Sequence, residues 1–99
     1  MITAEVIYFP SKKNETTTIL QKVGFRILSL GESITIGGDQ NLYERTFKIK
    51  LLKKSKSTIP HLSNHTKTEF FKPEKHFVIP DAYKSLIKDL IFAEPPEFF

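Results

Sequence analysis

The chain has 99 residues, of which 39% are apolar and 26% charged, a balance that supports one folded core and argues against both a disordered and a multidomain protein. It has no cysteine, which removes disulfides, thiolate nucleophiles and Cys-ligated zinc from consideration. The formal net charge is +4 and the sequence pI is about 9.4, so a basic surface is expected, with simple solvation as its commonest explanation.

Nine Phe and three Tyr against no Trp predict a core built on aromatic rings. The opening MITAEVIYFP has neither a basic leader region nor an apolar run of signal length. No window approaches the roughly 20 apolar residues of a membrane span. The expected setting is cytoplasmic, without a membrane partner.

Residues 2–9, ITAEVIYF, are β-branched and aromatic and predict a first strand ended by Pro10. SKKNE is a turn. Residues 15–23, ETTTILQKV, are read as a second strand because three consecutive Thr lose rotamer freedom in a helix. The competing assignment is a helix capped by Asn14 and ended by Gly24. Residues 25–30 and 33–36 read as strands around a turn at Gly31-Glu32, and Gly37 to Asn41 as a tight turn. Residues 42–52, LYERTFKIKLL, alternate in the manner of a half-buried strand. Residues 53–68 form a long polar loop, and residues 69–72 a short strand.

The C-terminal helix is predicted over 81–93. Asp81 stands at its N-cap, and Tyr83, Leu86, Ile87, Leu90 and Ile91 form one stripe. Residues 94–99 make a stiff Pro/Phe tail. The fold class expected is α+β: an antiparallel meander of five or six strands, as a small barrel or sandwich, closed by that one helix. A helix at 15–23 would instead give a split β-α-β arrangement.

Between Arg45 and Lys56 lie six basic residues, Arg45, Lys48, Lys50, Lys53, Lys54 and Lys56, and no acid. A row of cations can track a phosphate backbone, so these six are the candidate nucleic-acid-binding residues. On a strand over 42–52, however, Tyr43 and Phe47 face away from Lys48 and Lys50, which separates stacking surface from charge. A lysine-rich strand protected against edge aggregation accounts for the same pattern. His61 and His65 have i, i+4 spacing but lie in a stretch with no helical pattern, and Glu69, Glu74 and His76 could join them only through the fold. No metal site is assigned. Nothing matches a nucleophile elbow, a P-loop or a dinucleotide-binding turn, so neither catalysis nor a cofactor is expected. Asn14 and Asn64 begin glycosylation sequons that mean little without a secretory signal.

Pro95, Pro96, Phe98 and Phe99 remain. Two rings behind a polyproline-like spacer either fold back on the core or insert into another molecule, which makes them the candidate protein-interaction residues. The function expected is a small non-enzymatic interaction or accessory module, of a kind that phage and other mobile elements carry. Its partner would be another protein or a second copy, with no small-molecule substrate. Nucleic-acid binding through residues 45–56 is the alternative.

Overall fold

In the computed structural model, which describes residues 1–57 and 67–93, the chain forms β1 (Ile2–Tyr8), α1 (Lys13–Val23), β2 (Arg26–Leu30), β3 (Ile34–Gly38), α2 (Gln40–Phe47), β4 (Leu51–Ser57), β5 (Lys67–Pro73) and β6 (Ile87–Phe92). The class is α+β, with six strands in antiparallel sheets and two helices. No described helix is long and apolar enough to cross a membrane.

Residues 15–23 are helical, not a strand. Thr16 and Thr17 offset their poor helix propensity by donating side-chain hydrogen bonds to the carbonyl oxygens of Lys12 at 2.7 Å and Lys13 at 2.8 Å. Thr16 and Leu20 face the core, and Gly24 ends the helix with a φ of 117°, open to glycine at little cost.

The strand expected over 42–52 is replaced by α2, a short link and the start of β4. Asp39 is the deciding residue. Its carboxylate accepts from the backbone N–H of Leu42 at 2.8 Å and caps α2. Leu42, Tyr43, Thr46 and Phe47 are then buried on one helical face. Gly37 and Gly38, expected in a turn, are the end of β3. A Cβ on Gly38 would lie 3.0 Å from both Leu42 and Phe25 side chains, so glycine lets α2 approach the sheet.

Residues 81–93 do not form the helix expected to close the fold. Residues 81–86 are turns, and residues 87–92 form β6 along β1 in the register Ala4↔Phe92, Glu5↔Ile91 and Val6↔Leu90. Asp81 holds Lys84 in a turn by an exposed ion pair of 3.4 Å, not at a helix start. The stripe residues still serve the core: Ile87 and Leu90 are buried, and Tyr83 and Leu86 pack against it. Only Ile91 turns outward, 49% exposed. A ladder on β1 satisfies both strands' backbones, which a lone helix here could not do for β1.

The main sheet has the order β2-β3-β1-β6, and β4 with β5 makes a separate hairpin. This is an open sheet, not a barrel or sandwich, and the order crosses over instead of meandering. Its connectivity is the split β-α-β kind, ferredoxin-like, with the hairpin inserted before the last strand. The ends of the 53–68 segment belong to that hairpin, paired from Leu51↔Pro73 to Ser57↔Lys67. The Glu44 carboxylate anchors its base by accepting from the Leu51 N–H at 2.8 Å, and the Gln40 amide donates to the Leu51 carbonyl at 3.3 Å.

Aromatic rings fill the space between helices and sheet. Tyr43 is fully buried and lies 4.8 Å from Phe25 and 5.2 Å from Phe92, ring centre to ring centre. Phe47 continues the cluster to Tyr83 at 5.9 Å. The Tyr43 hydroxyl is shared between the carbonyl oxygens of Ile2 at 2.8 Å and Ile36 at 3.3 Å. Burial raises its pKa well above the ordinary tyrosine value.

Tyr43→Phe is expected to cost about 1–2 kcal/mol in urea unfolding at neutral pH, since it orphans a buried acceptor. Because the folded-state pKa is raised, the stability tied to the neutral phenol is complete below about pH 10 and declines as pH climbs above it. The wild-type chain should therefore lose more stability between about pH 10 and about pH 11 than the Phe variant does.

Candidate functional site

The six candidate cations do not form one row. Arg45 lies exposed in the last turn of α2, Lys48 is its C-cap, and Lys50 is in the link to β4. Lys53 and Lys54 fall on opposite faces of β4, because successive strand residues do. Lys53 pairs with Glu69 at 2.8 Å in an exposed contact worth little to stability. Lys54 stands directly across from Phe70 in the ladder, with Lys72 two residues further along β5. Lys56 is placed in β4 opposite Thr68. Pro95, Pro96, Phe98 and Phe99, together with His61 and His65, lie outside the described residues. Among the described residues no group of three or more His, Asp or Glu could hold a metal ion.

Two of these cations meet two groups that spacing alone did not connect. Where the hairpin leaves the body, Lys48, Ile49 and Lys50 form one wall of a groove of about 460 Å³, and Glu74, Lys75, His76 and Phe77 form the other. The Glu74 N–H donates to the Lys50 carbonyl at 2.7 Å and fixes the two walls together. Lys48, Lys50, Glu74, Lys75 and His76 are all exposed, and among the described residues none of them is in an ion pair. Ile49 and Phe77 are half-buried and pack on the core behind them. Lys48 adopts φ 56° and ψ 47°, a left-handed conformation that costs a residue with a Cβ about 1–2 kcal/mol.

A second surface is the sheet face that the helices leave uncovered. Ladder partners share a face, so the registers map it in rows. Asp89 lies beside Ile7. Ile91, Glu5, Thr35 and Ser29 cross the middle. Thr3, Gly37 and Arg26 follow. Glu5 is half-buried at the centre, and its carboxylate accepts from the hydroxyls of Thr35 at 2.7 Å and of Ser33. Both hydroxyls face the open side, so the charge is held flat on the sheet. Met1 and Leu28 lie over Gly37, whose missing Cβ makes room for them; the Leu28 Cδ1 is 3.3 Å from where that atom would stand. Met1 is 69% exposed, Leu28 48% and Ile91 49%. The sequence carried one sign of this face: β1 is apolar on both sides near its end, where Val6 points in and Ile7 out. Leu28 and Ile91 could be assigned to it only once the strand order was known.

Compared with known proteins, the chain matches no family model, no curated sequence and no solved structure.

Lys48→Gly should raise thermal stability, by about 1 kcal/mol, because glycine enters the left-handed region without a Cβ penalty. Thermal unfolding followed by circular dichroism measures this, and a lower midpoint would show that the Lys48 side chain contributes more than its backbone costs.

Proposed function

We propose that the protein is a non-enzymatic interaction module that offers the open face of its four-stranded sheet to another protein. One observation supports this above others: among the described residues both helices cover the same side of the sheet, and the other side carries Met1, Leu28 and Ile91 exposed, with Glu5 already hydrogen-bonded between them. Large apolar side chains left exposed on one sheet face give a partner something to bury there. Glu5 does not oppose docking as a bare carboxylate would, since two hydroxyls already satisfy part of its hydrogen-bonding capacity. Arg26 and Asp89 lie in the outer rows of the same face and add charge at the border of an interface. A cytoplasmic setting fits the absence of cysteine and belongs to the same proposal. The tail residues Pro95, Pro96, Phe98 and Phe99 are proposed as a second contact with the same partner.

Nucleic-acid binding is the second reading. It is favoured by the hairpin face that carries Lys54 and Lys72 on one side of the ladder, since neighbouring cations suit a phosphate backbone. It requires a salt-dependent gel shift that Lys54→Glu weakens.

Leu28→Asp combined with Ile91→Asp should leave the circular dichroism spectrum unchanged, since both side chains are about half exposed. The pair should abolish recovery of the protein partner from lysate of the source cell, with light scattering run in parallel to register self-association. Removal of residues 95–99 measures the share of the tail. Recovery of the same partner by the double variant would refute the assignment of the open face.

A further inference from the structure

We propose that the groove at the base of the hairpin binds phosphate groups through Lys48, Lys50, Lys75 and His76. The proposal goes beyond both readings above, because it needs neither the open sheet face nor the Phe70 side of the hairpin.

Three lysines converge on one cavity of about 460 Å³ from two segments far apart in sequence. Like charges gathered in a concave site repel one another and strengthen the local positive potential. Among the described residues no ion pair relieves any of the three, and Glu74 is the single acid lining the groove. An unpaired cluster on a convex surface would be ordinary solvation. Here the three lysines line a groove together with half-buried Ile49 and Phe77, a wall of low polarity beside which an anion is screened less than in water.

The backbone points the same way. The left-handed turn at the residue after α2 lets the next N–H, that of Ile49, fold back onto the Glu44 carbonyl at 3.2 Å, and glycine is the low-energy choice there. This chain holds Lys48 in that conformation, which keeps a lysine in the groove lining at a backbone cost. Strain of this kind concentrates at binding sites. The helix C-terminus beside Lys48 carries partial negative charge, so the ligand is placed toward Lys50, Lys75 and His76, away from the helix carbonyls. Lysine acts as a point charge with three donors and His76 offers a ring N–H, a set suited to a tetrahedral, multiply charged oxyanion more than to the planar carboxylate that an arginine fork would select. Phosphate reaches such a groove either as a free di- or triphosphate or as the backbone of a single strand.

The test is a titration of the full chain with sodium pyrophosphate and, separately, with a single-stranded oligonucleotide, followed by amide shifts of residues 48–50 and 74–77. Saturable shifts confined to these two segments are expected. Lys50→Glu and Lys75→Glu should each weaken pyrophosphate binding about tenfold or more. Glu74→Gln should tighten it by removing the competing acid. Lys48→Gly should weaken it while folding at least as well, which separates binding from stability. Lys22→Glu on α1 and the Leu28→Asp/Ile91→Asp pair should leave it unchanged. Competition by the oligonucleotide would identify a nucleic-acid backbone as the source, and pyrophosphate saturation without competition a free phosphate ester. An unsaturable response, or one that Lys22→Glu reduces as much as Lys50→Glu, overturns the proposal.

Discussion

The position of the Tyr43 hydroxyl governs much of this fold. It reaches from the middle of α2 to carbonyl oxygens on two neighbouring strands, Ile2 in β1 and Ile36 in β3. Its ring meanwhile touches Phe25 beside β2 and Phe92 on β6. One side chain thus meets all four strands of the sheet or their flanks and sets the height of α2 above it. Gly38 makes that height possible, since any Cβ there would push Leu42 and Phe25 away. A buried phenol is tolerated only because its hydroxyl finds partners.

Some of this was legible in the residues. β1, β2, β3 and β5 were indicated by β-branched and aromatic runs, and the aromatic core by composition. Residues 15–23 read as a strand with a helix as the competing assignment, and residues 42–52 read as a strand, for identifiable reasons. In residues 15–23 the threonines argue for a strand until their hydroxyls are seen bonding back along the helix. In residues 42–52 period 2 and period 3.6 both fit so short a run, and the cap at Asp39 decides between them. The reverse error occurred at 81–93. There the spacing of Tyr83, Leu86, Ile87, Leu90 and Ile91 satisfied a helix, yet β1 had an edge to fill. Pairing demand from a distant strand has no local signature.

The candidate surfaces divide along the same line. Six cations could be listed from the sequence, but their distribution over α2, its cap and two faces of a hairpin could not. The groove draws Lys48 and Lys50 from that set and adds Lys75 and His76 from a segment that carries no regular structure. The open face is further from the reach of sequence, because its rows join residues of four strands. Both surfaces arise from topology: the face from placing both helices on one side, the groove from inserting a hairpin between α2 and β6.

That insertion also bears on how the chain reaches its final form. β1 is a central strand, yet one of its neighbours is β6, so Ala4 must wait for Phe92. Everything between them, including the hairpin, is made first. Until β6 docks, β1 is a bare edge, with Val6 and Tyr8 missing the neighbours that Leu90 and Ile87 later supply. Loop-closure entropy for so wide a span grows only slowly with length, but such non-local pairing slows folding. In that interval a sheet of three strands is waiting for its fourth, with the open backbone groups of β1 exposed to any other strand.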